Sequence, residues 1–193
     1  MSRANQLSET SDGQKLLTMM IAVGLSFEDL IERYKAQYKK HRQLFASRFL
    51  AVGHGDPCLS NILYDQQHMI LKLIDPRGAR EESELWTHPL YDYCKLSHSI
   101  NGDYDFINHG LFNVTLNATN EFKLSVKAPR ELHELKRVFE EYLLAHGEDL
   151  RAIKIGECSL FLSMIPLHID HPNKALAFVL NAQKLLKEIE LYG

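Results

Sequence analysis

The chain is poor in the features that would place it early. No apolar run reaches the ~18 residues that a membrane span needs. The amino terminus does not read as a signal peptide either. Cysteine is scarce: Cys58, Cys94 and Cys158 are the only three in 193 residues, odd in number and far apart. That excludes a disulfide framework and suits a reducing compartment. Charge of one sign is missing too. The 22 lysines and arginines face 25 acidic residues, for a net charge of -3, which gives no footprint for nucleic acid. There is no internal repeat and no low-complexity linker. A soluble cytoplasmic domain with no membrane or nucleic-acid partner is expected.

What is present suffices for one domain with a sizeable core: 45% of the residues are hydrophobic and 24% charged. Apolar spacing predicts a first helix through Leu16, Leu17, Met20, Ile21 and Val23, ending near Gly24. A second, opened by the Ser26/Asp29 capping pattern, should run from Phe27 to about Phe45. The basic run from Arg33 to Arg48 reads as the solvated face of that helix. Phe49 to Val52 is a short apolar run, and "NILYD" and "MILKLID" read as a hairpin. Thr87 and Pro89 start a helix that continues through Ile100. Phe112 to Val126 alternates as a second hairpin, expected to be the more exposed one. Pro129 opens a helix stopped by Gly147, and two more follow, Leu150 to His168 and Asn173 to Leu191. The fold class is therefore α+β and mainly helical. Residues 1–48 are leading helices, 49–80 carry two functional loops, and 81–193 form a helical remainder with one hairpin.

The chemistry concentrates in "HGDPCLSNILYDQQHMILKLIDPRGA", residues 54–79. Phosphoryl transfer needs a carboxylate to take the proton of the attacking hydroxyl, and oxygen ligands to hold magnesium on the phosphates. Protein kinases use an H-R-D-x-x-x-x-N loop, then a hairpin, then a metal-binding aspartate. Here Asp56 is followed five residues on by Asn61, and Asp75 comes fourteen residues later, after the hairpin. Asp56 would be the base, with Asn61 and Asp75 as hard oxygen ligands suited to Mg2+. His54 fits a histidine that orders the loop. Gly55 and Gly78 fit backbone requirements.

This stretch resembles the catalytic core of the aminoglycoside phosphotransferase and choline kinase family, whose motif is H-G-D-x-x-x-x-N followed by I-D. The resemblance covers about Leu50 to Ser99. It implies the C-terminal lobe of a protein-kinase-like fold, with ATP as phosphoryl donor, Mg2+ as cofactor and a small-molecule alcohol as acceptor. It also implies that Asp92, in "LYDYCKLSHSI", supports the catalytic loop from a helix. The family's smaller lobe, with its Gly-rich cover and strand lysine, has no counterpart in the fifty-three residues before His54. The chain reads as a fragment of a longer protein, a half whose partner lobe is encoded separately, or a natural single-lobe relative, and the alternative function is an inactive binding module. Other groupings carry less. His168, Asp170 and His171 read as a helix-end cluster, Cys58 lacks an adjacent base for a nucleophilic role, and Arg77 reads as a surface ion pair. Glu81, Glu82 and Glu84 read as a solvated loop.

Overall fold

The computed structural model of the chain describes residues 9–47 and 49–191; Arg48, the end of the basic run, lies outside them. The described residues form seven α-helices and six short strands, so the class is α+β and mainly helical. Helix α1 (Ser11–Ala22) begins earlier than the apolar pattern suggests. Its start is set by Thr10, whose side chain accepts from the Gly13 amide at 3.1 Å. Helix α2 (Phe27–Lys40) starts at Ser26, which accepts from Asp29 N at 3.2 Å, and a 3-10 turn (Arg42–Phe45) completes the predicted length. Its basic face is solvated and laced with ion pairs, among them Arg33 to Glu190 at 2.9 Å and Lys35 to Glu32 at 2.7 Å.

Further along the chain come α3 (Leu90–Ile100), the short α4 (Tyr104–Asn108), α5 (Glu131–Ala145), α6 (Leu150–Met164) and α7 (Pro172–Leu191). Residues Ala175 to Val179 of α7 are buried without a break. A helix apolar all round must be surrounded, and α7 is: α1, α2 and α6 pack on it, with Leu16, Met20, Phe27, Leu30, Phe161 and Ile165 in the shared core. A second cluster joins α3, α5 and α6 through Leu90, Cys94, Phe139, Leu143 and Ile153. All three cysteines are free and buried.

Two ionisable groups are sealed between these helices. Glu157 on α6 is 1% exposed and accepts a 2.5 Å hydrogen bond from Ser97 on α3. Burial pushes its carboxyl up to about 7, against the weaker opposing pull of Ser97, Lys154 and Lys184. His98 lies between the rings of Tyr104 and Phe161, at 4.4 and 4.2 Å, and burial brings it down to about 3.

The strands make three antiparallel ribbons. Strand β1 (Ala51–Val52) pairs with β4 (Trp86–Thr87), so Thr87 belongs to a strand, and the helix starts after Pro89. Strand β2 (Ile62–Asp65) pairs with β3 (Ile70–Leu73), and β5 (Phe112–Leu116) with β6 (Phe122–Val126). The expectation about exposure is reversed. In β5–β6 the residues Phe112, Val114, Phe122, Leu124 and Val126 pack against the main core. In β2–β3 nearly every residue is exposed. The register puts Ile62 opposite Leu73 and Tyr64 opposite Leu71, so all four share one face. On that apolar face Tyr64 is 57% and Leu71 60% exposed. Val52 and Trp86, also opposite each other, are exposed on the neighbouring ribbon. A lone two-stranded ribbon is marginal in water, so the bare face is one that another surface can complete.

Candidate active site

The loop from Gly53 to Asn61 joins β1 to β2 and is gripped at both ends by α3. At its start, the amides of His54 and Gly55 donate to the two carboxylate oxygens of Asp92, at 2.6 and 2.8 Å. The family resemblance implies a loop-supporting role for Asp92, and here its carboxylate accepts from the loop's backbone. The fit leaves no room beside it: a Cβ at Gly53 would lie 2.5 Å from Asp92 Oδ2. Gly55 has φ +79°, and a Cβ there would meet Arg77 Cβ at 2.7 Å, so both backbone shape and space require glycine. At the loop's other end, Leu59 N donates to Ser99 Oγ at 2.8 Å and Ser60 N to Asp105 Oδ1 at 3.3 Å. Ser99 in turn donates to Asp105, which is itself buried. Asp92 and Ser99 are seven residues apart on α3, on one helical stripe.

Replacing Asp92 with alanine strands two backbone donors on one side of the loop. Hydrogen bonds to a charged group carry about 1.5–3 kcal/mol each, part of which water recovers here. Asp92→Ala is therefore expected to lower unfolding stability by about 2 kcal/mol in urea titrations. A loss within error of zero would mean that Asp92 does not hold the loop.

Inside the loop, His54 Nδ1 accepts from Asp56 N at 3.3 Å, and the Asn61 side-chain amide donates to Asp56 O at 2.9 Å. Both residues thus shape the backbone on either side of Asp56. The His54 Nε2 is buried without a hydrogen-bond partner among the described residues. The Asp56 carboxylate faces outward, 41% exposed, with Lys95 Nζ 2.9 Å from its Oδ1. Lys95 is a residue that the sequence reading missed, as are Ser99 and Asp105. The only signal for any of them is that Lys95 lies three residues beyond Asp92, on the same face of the helix.

Strand β3 ends at Leu73, two residues short of the expected end. Ile74 N then bonds to Asn61 O at 3.0 Å, which brings the backbone of Asp75 beside Asn61. Asp75 takes the left-handed region at φ +55°, uncommon for a residue before proline. It is exposed. Such a conformation persists only where the surroundings hold it, often at working sites. An asparagine and an aspartate are donor types that magnesium takes alongside phosphates and water. Among the described residues, no group of three or more His, Cys, Asp or Glu side chains could hold a metal by itself.

The minor groupings resolve simply. His171 pairs with Asp170 at 3.4 Å on the surface, and His168 packs against Phe178. Cys58 Sγ contacts Ser60 Oγ at 3.2 Å, and among the described residues no histidine or carboxylate hydrogen-bonds to it. Among the described residues Arg77 is in no ion pair: its guanidinium donates to Tyr91 Oη at 3.2 Å, and its amide to His54 O at 2.8 Å. Arg77 thereby becomes part of the loop's floor, lining a cavity of about 420 Å³ with Gly53, Gly55, Glu84 and Tyr91. Glu81, Glu82 and Glu84 are exposed around a 3-10 turn, and no carboxylate cluster forms there.

Comparison of the chain with family models, with curated proteins and with solved structures gives no match. No helix of the described residues is long and apolar enough to cross a membrane.

Proposed function

We propose that the chain is the catalytic lobe of a small-molecule kinase, which moves the γ-phosphoryl group of ATP to a hydroxyl of an amino alcohol, an aminoglycoside or another sugar. The observation that carries this reading is the arrangement around Asp56: an open carboxylate on a loop clasped by Asp92, with Asn61 braced against its backbone and Asp75 brought next to Asn61. The likeness of "HGDPCLSN" and "LID" to the aminoglycoside phosphotransferase and choline kinase family supports it. In the reaction, the acceptor oxygen bonds to the γ-phosphorus as its proton passes to Asp56. The bond from that phosphorus to the β,γ-bridging oxygen breaks, and ADP leaves with the electron pair. Magnesium, held by Asn61 and Asp75, would neutralise charge on the phosphates.

The reading needs a second surface to cover the nucleotide. The bare apolar face of β2–β3, between Asn61 and Asp75 in sequence, supports a partner lobe seated there, on a longer or a separate chain.

Asp75→Ala tests the metal assignment. Losing one charged ligand is expected to weaken Mg·ATP by about 10- to 100-fold in calorimetric titration of the full chain, with and without a partner lobe. Equal affinity in the two proteins would remove Asp75 from the metal site.

A further inference from the structure

We infer that Lys95 is a working residue of this site: it holds the Asp56 carboxylate at rest and neutralises the phosphoryl group during transfer. The inference rests on the kinase reading above and goes beyond it, because the H-G-D-x-x-x-x-N motif contains no lysine. Lys95 Nζ lies 2.9 Å from Asp56 Oδ1, and its side chain is only 17% exposed. Lysines that merely decorate a surface are rarely so enclosed. No other hydrogen bond or ion pair engages either side chain among the described residues. One carboxylate oxygen is thus held, and the other is left for the acceptor's hydroxyl.

Position strengthens the argument. Asp92 and Lys95 are one turn apart on α3 and reach the same loop. Asp92 fixes the backbone at His54 and Gly55, and Lys95 fixes the side chain of Asp56. An ion pair with one half-open partner adds little to stability. Its value lies in what the ammonium faces once a nucleotide arrives. The transferring phosphoryl group spreads negative charge over three oxygens and passes next to the base that takes the proton. An ammonium already at that base, on a flexible four-carbon stem, can turn to those oxygens. It does so as the Asp56 carboxylate accepts its proton and loses its charge. Lys95 keeps all its protons throughout: the acceptor's proton goes to Asp56, and the electron pair leaves with ADP.

The experiment uses the full chain with γ-labelled ATP, Mg2+ and a panel of amino alcohols, aminosugars and neutral sugars. Near-stoichiometric protein makes slow transfer visible. Lys95→Met is expected to lose on the order of 10²- to 10³-fold in kcat. Its Mg·ATP affinity and Tm should stay near the parent's, and Lys95→Arg should recover part of the rate. A purely structural lysine would not separate kcat from nucleotide affinity in this way. Lys95→Gln is the second neutral variant, should methionine impair folding. Parental kcat in either folded neutral variant, with Asp56→Asn inactive, would overturn the role of Lys95 and leave the kinase reading standing. Transfer by Asp56→Asn at the parental rate, or none by the parent to any acceptor when a partner lobe is supplied, would overturn both.

Discussion

Asp56→Asn is expected to lose phosphoryl transfer by ~10²–10⁴-fold while keeping the parental melting temperature and Mg·ATP affinity. Asparagine preserves size and can still hydrogen-bond, but it cannot take a proton. The fold has little stake in the carboxylate. The contacts that build the loop at this position run through the backbone: Asp56 N to His54, and Asp56 O to the Asn61 side chain and to Cys58 N. The side chain itself engages only Lys95 among the described residues. Nucleotide affinity is assigned to Asn61 and Asp75, which the substitution does not touch. Single-turnover transfer, thermal melting and calorimetry on the same preparation separate the three quantities. A parental transfer rate would show that Asp56 is not the base, and a non-catalytic binding module would then be the better reading of the loop.

Glu157→Gln is expected to make stability rise more steeply with pH between about 4.5 and 6.5 than it does in the parent. Two buried groups oppose each other there. Glu157 titrates near 7 in the folded chain against an ordinary 4.5. The folded state therefore binds the extra proton, and this contribution is complete below 4.5 and lost as pH rises through about 7. At about 1.4 kcal/mol per pH unit it amounts to roughly 3 kcal/mol. His98, near 3 when folded against an ordinary 6.5, has the opposite sign. Its contribution is present above 6.5 and lost as pH falls toward 3. In the shared window the two slopes oppose each other. Glutamine keeps an acceptor for Ser97 and removes the opposing slope, so the rising contributions of His98 and of His41, which burial also lowers, are no longer offset. Urea titrations at half-unit steps from pH 4.5 to 7.5 measure it. If the variant keeps the parent's profile, Glu157 is not protonated in the folded protein.

The helices were readable because their signals are local. Ser26 announces α2 through its own hydroxyl, and the apolar stripes of α5, α6 and α7 follow the helical period. The order Asp56, Asn61, Asp75 was readable for the same reason, since spacing along the loop and hairpin sets it. What stayed hidden depends on distant partners. Lys95 meets Asp56 across thirty-nine positions of sequence, and its one local mark, a place three residues beyond Asp92, does not by itself reveal the contact. Asp105 and Ser99 brace the loop from beyond its own segment. Strand β4 is two residues long, too short for any period, and exists because Val52 and Ala51 lie opposite it. The exposure of the hairpins was misjudged because "MILKLI" is apolar at nearly every position. A face without alternation looks buried until the neighbour that should bury it is sought and not found.

The grip of α3 on the loop has a thermodynamic consequence. Asp92, Lys95 and Ser99 reach the loop at positions 54–55, 56 and 59 from one helical stripe. A loop tied at intervals to a single rigid rod has surrendered its conformational freedom when the chain folds. Little of that ordering would be left for a ligand to do, so a nucleotide bound as proposed would spend its interaction energy on contact rather than on organising the loop. The spread in position among the three ties is that of an α-helix backbone, which is smaller than that of independent loops. A ligand of this loop would therefore meet a backbone already set, and the entropy of association would fall mainly on the ligand.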